Sequence, residues 1–319
     1  MSDSEGTVTI TVLTENTPQD GLRAEHGLSL HLRYARTGKT TDLLLDFGQS
    51  DAFAHNAALL GIDLSTVDVA VLSHAHYDHA DGMPAFFEMN DHARLCLSEA
   101  CGESCWSTKG GTAERHYIGI KHGLIARYAD RLQHVPTSRT TTIAPGVHLV
   151  PHATPGLAEV GMHSGMLLQT ENGWEPDDFR HELSLVLELT PASDATPRLA
   201  VFNSCSHAGL AVIVEEVTRT FPEARIAAYV GGLHLVHASD EQVRQVAKAV
   251  QRAGIEHLYT GHCTGDAAMA TLCNALPGRI VALHPGLTLE LPAGSCRERM
   301  PSGLRPKAQP ARPSRAERA

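Results

Sequence analysis

The stretch VDVAVLSHAHYDHADG at residues 67–82 runs an apolar segment straight into three histidines and two aspartates. The apolar part has the length and β-branched content of a buried strand. The ligand-type residues therefore leave a rigid strand tip in a fixed direction. His74, His76 and Asp78 are spaced two apart, and a strand-like exit sends all three to one side; His79 follows at once. Imidazole and carboxylate are the ligands that cations such as Zn²⁺ prefer. His74 with His76 suits one ion, and Asp78 with His79 suits a neighbour. Such a pair can lower the pKa of a shared water and clamp a substrate oxygen. The plain alternative is a solvated polar turn.

The rest of the chain supplies more strand tips. Residues 7–13 (TVTITVL) and 28–34 (LSLHLRY) alternate as strands, and TDLLLDFGQ reads as a buried strand ending at Asp46. SDAFAHNAALLGI has helical spacing. From about 95 to 160 the pattern weakens into an excursion of short elements and loops, of the kind that shapes a binding site. Regularity returns with strands ELSLVLEL and RLAVFNS, helix GLAVIVEEVTRTF and strand RIAAYVGG. The segment SDEQVRQVAKAVQRAG is a helix with Ser239 as N-cap and Gln242 placed to close a capping box. IEHLYTG, the helix GDAAMATLCNAL and RIVALHPG, read as the last strand, complete the pattern. Both halves alternate β and α, which predicts a layered α/β fold. With 319 residues, 42% of them apolar, the chain can bury a large core. We expect a single domain over 1–291. Residues 292–319, rich in Pro, Arg and Ala, read as a disordered tail.

Other ligand-type residues sit at strand ends. His181 precedes LSLVLEL, LAVFNSCSHAG ends on Cys205 and His207, and AAYVGGLHL ends on His234. HLYTGHCTG ends on His262, followed by Cys263. In layered α/β folds strand ends converge, so these termini can share one site. Seven cysteines with no CxxC pair, in a chain without a signal-peptide pattern, read as reduced thiols of a cytoplasmic protein. A net charge of −10 favours neither nucleic acid nor an anionic membrane as partner, and we expect a small-molecule substrate. Nothing in the sequence fixes the oligomeric state.

The order of these residues resembles the metallo-β-lactamase fold superfamily. AEHGLSLHL (24–32), LLLDFGQSDAFAHNAALLGIDL (43–64), LSHAHYDHADGM (72–83), DDFRHELSLVL (177–187), CSHAGL (205–210), GGLHL (231–235) and GHCTG (261–265) resemble one branch, the 7,8-dihydropterin-6-methyl-4-(β-D-ribofuranosyl)aminobenzene-5'-phosphate synthase-like proteins. The resemblance implies a four-layer αββα sandwich of two mixed sheets flanked by helices. It implies that His74, His76 and His181 hold one ion and Asp78, His79 and His262 the other, with Asp46 orienting a ligand histidine. His152 and His163 are the alternatives to His181. The superfamily's bridging Asp has no clear counterpart; Cys205 or His207 stands in its place, and Ser204 departs from the branch's usual Gly. Asp78 and His234 are the candidate catalytic groups, His234 as proton donor or phosphate contact. Glu25, His26 and Gly27 line the pocket or form a solvated turn, and Gly231 and Gly232 would let a substrate approach the backbone. Glu182 orients His181 or is solvated. Trp106, Tyr117 and Tyr128 stack on a flat ring or pack the excursion.

The ions would be a pair of Zn²⁺, with Mn²⁺ or Fe²⁺ suited to similar sets. The expected activity is hydrolysis of an ester, lactone or phosphorylated small molecule by a metal-held hydroxide. The alternatives are a synthase-like transferase that releases pyrophosphate, and a non-catalytic binding protein on the same fold.

Overall fold

The computed structural model describes residues 6–108, 114–189, 196–292 and 295–298. The N-terminal half contains β1 (Thr7–Thr14), β2 (Ser29–Arg36), β3 (Lys39–Leu45), α1 (Ala52–Leu59), β4 (Val69–Val71), α2 (Tyr77–Ala80) and α3 (Met83–Met89). Next come β5 (Arg94–Ser98), β6 (Cys105–Thr108), β7 (Arg115–Tyr117), α4 (Leu124–Arg127), β8 (Leu132–Val135), β9 (Thr141–Ala144) and β10 (Val147–Pro151). They are followed by α5 (Leu157–Ser164), β11 (Met166–Thr170), β12 (Gly173–Pro176), β13 (Leu183–Leu189), β14 (Arg198–Phe202), α6 (Leu210–Thr220) and β15 (Arg225–Val230). The chain continues with α7 (Asp240–Arg252), β16 (His257–Thr260), α8 (Asp266–Ala275), β17 (Ile280–Ala282), β18 (Leu287–Leu291) and β19 (Ser295–Glu298).

Two large mixed sheets carry the fold. One has the order β19-β18-β1-β2-β3-β4-β5-β8 and the other β17-β16-β15-β14-β13-β10-β9. The period-2 pattern explains how they stack. Leu28, Leu30, Leu32 and Tyr34 of β2 and its lead-in face Leu183, Leu185, Leu187 and Leu189 of β13 in a dry layer between the sheets. Leu44, between Leu43 and Leu45, points the other way, to a second core with Phe53 and Ala57 of α1 and with Met83 and Phe86 of α3. Val186 and Val201 likewise face outward, onto Ile213, Val217, Val243 and Leu272 of α6, α7 and α8. The result is the αββα layering. Ser239 caps α7 with the full box, accepting from Gln242 N while Gln242 reaches back.

Three features differ from the sequence reading. The excursion at 95–160 is largely paired: β5 and β8 extend the first sheet, β9 and β10 the second, and β6 and β7 join β11 and β12 in a third, four-stranded sheet. Its short strands lack long alternation, so pairing across distant segments decides their conformation. RIVALHPG is not the last strand; β18 follows and pairs antiparallel with β1. The expected tail begins too early, because β19 adds to β18 as an edge strand; residues 299–319 lie outside the described residues. Among the described residues no helix is long and apolar enough to cross a membrane.

Strand direction sets the working end. β3 and β4 are parallel, as are β14, β15 and β16. Their C-terminal tips, the end of β1 and the start of β13 share one edge of the sandwich. Leu289, wholly buried in the inter-sheet layer, tests the β18 pairing. Leu289→Ala should cost about 2–5 kcal/mol in urea unfolding, and a loss under about 1 kcal/mol would mean that β18 does not complete the core.

Candidate metal centre

The histidines meet at that edge. Ring centroids lie 4.6 Å apart for His74 and His76, 4.9 Å for His74 and His207, and 4.7 Å for His76 and His207. His79 is 4.2 Å from His74 and 4.9 Å from His262. They come from both sheets: His74, His76 and His79 follow β4, His207 follows β14 and His262 follows β16.

Hydrogen bonds fix which ring nitrogen is free. Asp46, wholly buried beyond β3, accepts from Ser73 N and Ser73 Oγ at 2.7 Å each and from His79 Nδ1 at 2.8 Å. With its own hydrogen given to Asp46, Ser73 Oγ accepts from His74 Nδ1 at 2.8 Å. Asn16 Oδ1 takes the N–H of Gly27 at 3.2 Å and His262 Nδ1 at 2.8 Å. In His74, His79 and His262 the hydrogen thus sits on Nδ1 and the Nε2 lone pair faces inward, the arrangement that outer carboxylates and amides impose on metal-binding histidines.

Two donor sets result. In the first, His74, His76 and His207 place ligand atoms within 4.8 Å of one another. Among the described residues, His74 Nε2, His76 Nε2 and both nitrogens of His207 are buried with no partner. Leaving such groups unsatisfied costs about 1–3 kcal/mol each. Burial first, then the crowding of imidazoles, holds His76 down to about 3 and His74 and His207 well below the ordinary value. These rings are neutral, with lone pairs available.

In the second set, His79 Nε2 and His262 Nε2 are 3.1 Å apart, and Asp78 Oδ2 lies 3.6 and 3.4 Å from them. Cys205 Sγ is 3.3 Å from His79 Nε2. Ligand atoms about 2.0–2.1 Å from a tetrahedral ion are roughly 3.3 Å apart, so this spacing suits a cation. Without one the set attracts a proton: burial opposes it, but Cys263, Asp78 and Glu15 push His262 up to about 9. Both sets therefore fit divalent ions by donor type and spacing, and the first also by its unpartnered ring nitrogens.

The remaining sequence-predicted residues separate clearly. His181 lies beside the cluster, 5.5 Å from His76 by ring centroid, and places a ligand atom within 4.8 Å of those of His76, Cys105 and Asp177 rather than with His74 and His207. Its Nδ1 accepts from Ala75 N at 3.2 Å, so its hydrogen is on Nε2, which donates to Asp177 Oδ2 at 3.0 Å, with Cys105 Sγ 3.7 Å away. His152 is taken up by Glu216 and Ser184, and the exposed His163 bonds its own helix. His207, left open against Cys205 as a substitute for the bridging Asp, is the imidazole that joins His74 and His76. Glu25 does not line the pocket; it accepts from Gln49 N and Ser50 N and holds that turn. Half-exposed His26 accepts from Asn16 at Nδ1 and directs Nε2–H at Asp78 Oδ2, 3.2 Å away. Gly232 makes room for protein rather than substrate: a Cβ there would lie 2.5 Å from Cys263 Sγ.

His234 sits 4.4 Å from His207 by ring centroid, with Nδ1 buried and unpartnered among the described residues. Trp106, Tyr117 and Tyr128 pack: Trp106 stands edge-on to Tyr117 and Trp174, and Tyr128 lies against Phe87. A surface cavity of about 290 Å³ is lined by residues 153–158, Asp178 and Arg180, and none of these belongs to the histidine cluster. Five of the non-glycine residues with left-handed backbone (Asp46, Phe179, Ser206, His234 and His262) border the site, where such strain usually concentrates.

Because Asp46 orients His79 directly and His74 through Ser73, Asp46→Asn should weaken metal binding by about 10–100-fold with the fold retained. Chelator competition on the purified protein measures this, and unchanged affinity would remove Asp46 from the centre.

The family model of the metallo-beta-lactamase superfamily matches residues 34–168. A 7,8-dihydropterin-6-methyl-4-(beta-D-ribofuranosyl)-aminobenzene-5'-phosphate synthase of Methanocaldococcus jannaschii is 23% identical over 277 residues, 82% of this chain and 89% of that protein. A solved metal-dependent hydrolase of the β-lactamase superfamily superposes with a TM-score of 0.72 at 27% identity, covering 88% of this chain and 98% of its own. The metallo-β-lactamase fold protein YhfI of Bacillus subtilis shares the fold, with a TM-score of 0.54 at 12% identity over 89% of this chain and 99% of its own. The chain has the metallo-β-lactamase fold, and its sequence over residues 34–168 is similar to that superfamily.

Proposed function

We propose that this protein is a binuclear metal-dependent hydrolase of an ester, lactone or phosphorylated small molecule. The observation that carries the reading is the pair of adjacent donor sets: the nitrogens of His74, His76 and His207 that are buried without a partner among the described residues, and the close convergence of His79, His262 and Asp78 beside them. His74, His76 and His207 would hold one ion, and Asp78, His79 and His262 the other, with Cys205 beside His79. Zn²⁺ suits these ligands, and Mn²⁺ or Fe²⁺ suits similar sets. Ions bound there supply a water of lowered pKa and positive charge against the developing oxyanion.

The chain's own groups divide the remaining work. Asp78 is held by His26 on its outer side and would orient the attacking water as well as bind metal. His234 offers an unpartnered Nδ1 next to His207, positioned to give a proton to the leaving group or to hold a phosphate oxygen.

A transferase is the second reading, favoured by the synthase relative at 23% identity. There the same ligands would bind the diphosphate of an activated pterin alcohol. An aryl amine would attack the methylene carbon as pyrophosphate leaves. Both reactions need positive charge beside a departing or developing oxygen anion.

The readings separate when the protein is given a dihydropterin diphosphate and the aryl-amine ribose phosphate. Pyrophosphate release without condensation supports the hydrolase, and condensation retires it. Metal analysis of purified protein should approach two equivalents per chain; folded protein with less than one defeats both. His207→Ala should lose one equivalent and most activity, while His181→Ala should keep both ions. The reverse pattern would restore His181 as the ligand.

A further inference from the structure

The segment just before β13 holds more buried polar structure than a connection needs. Glu182 is wholly buried, and its two oxygens accept from His207 N at 2.8 Å and Ala208 N at 2.9 Å. Desolvating a carboxyl group is costly unless its hydrogen bonds compensate, and both of these go to one short loop. From the same segment Phe179 lays its ring on His207, with centroids 5.3 Å apart and planes 12° from parallel. Phe179 adopts a left-handed backbone (φ 52°) to do so, and Glu182 N locks onto Phe179 O at 2.8 Å.

His207 differs from its neighbours in how it is aimed. His74, His79 and His262 each have a hydrogen-bond partner at Nδ1. Neither nitrogen of His207 has one among the described residues. Its orientation must come from the backbone and from the ring face. The far end of the loop is pinned independently: Asn203 Oδ1 accepts from Ser206 N at 2.6 Å, and Ser206 Oγ donates to Gly232 O at 2.6 Å.

We propose that Glu182 and Phe179 are positioning residues for His207, the carboxylate setting its backbone and the phenyl face setting its ring plane. The pair presents the imidazole beside His74 and His76. The inference rests on reading those three histidines as a ligand trio. Glu182 therefore acts on His207, 25 residues away, and not on the adjacent His181.

Cobalt(II) alone is a suitable probe for the full-length, metal-stripped protein, followed by visible absorption and thermal unfolding. Wild type should take up two equivalents, and His207→Ala should lose one. Glu182→Gln and Phe179→Leu should each weaken that same site about 10–100-fold, alter its absorption band and leave the other site unchanged. Glu182→Asp should recover part of the loss. If Glu182→Gln and Phe179→Leu melt earlier but bind both ions as wild type does, their role is packing and the inference fails. Should Glu182→Gln not fold, Phe179→Leu decides alone: an unchanged His207 site overturns the proposal. Wild type that takes up no cobalt would instead defeat the reading of the trio itself.

Discussion

The Asp46 carboxylate ties the fold to the site. It accepts from the Ser73 backbone, the Ser73 hydroxyl and His79, and through that hydroxyl it also sets the hydrogen of His74. One buried charge thereby orients a histidine in each donor set. It can do so because Asp46 leaves β3 in a left-handed turn (φ 60°), with its N–H on Val71 O and its carbonyl taken by Ser29 Oγ. The ladder joining β2, β3 and β4 therefore decides where two imidazole lone pairs point. A ligand loop on a mobile surface would gain no such definition.

The second sheet is joined by the same means. Glu15 and Asn16, just past β1, reach across to His262, one taking its backbone N–H and the other its ring hydrogen. His207 comes from beyond β14 and meets His74 and His76 from beyond β4. The donors assemble only when the inter-sheet layer of Leu30, Leu43, Leu185 and Leu187 is closed. Apolar burial between the sheets supplies the energy that holds polar, strained strand tips together at their edge. The positive φ angles at Asp46, Ser206, His234 and His262 fit that division, since each lies where a strand is bent into the site.

What was legible in the sequence was the local part. His74-x-His76-x-Asp78-His79 directly after an apolar strand is a short-range pattern, and alternation marked β1 and β2 as strands. Which imidazole stands nearest both His74 and His76 was not legible, because His181 and His207 both flank strands and sequence gives no ring direction. That direction is set by the N–H of Ala75, which reaches His181 across 106 positions of chain. The turn role of Glu25, one of its two readings, and the packing role of Gly232 were hard to see for the same reason: their partners, Ser50 and Cys263, are distant in sequence and carry no periodic signal. The third sheet was hidden because β6 and β7 are four and three residues long, too short for a period to emerge. Alternation was present in LTLEL of β18, but it only gains meaning from its partner β1.

The two donor sets are electrostatically unequal, and this bears on how a substrate would sit. His74, His76 and His207 are neutral, and burial together with mutual crowding keeps them so. They neutralise none of a cation's charge. The other set contains Asp78, which the nearby histidines hold ionised against its burial, and has Cys205 at its edge. A cation there is partly compensated. Under the proposed assignment the stronger pull on a substrate oxygen lies on the side of the three imidazoles. The opposite side, with Asp78 as acceptor, favours the water that loses a proton. This asymmetry follows from donor chemistry alone, and it serves ester cleavage and diphosphate departure equally.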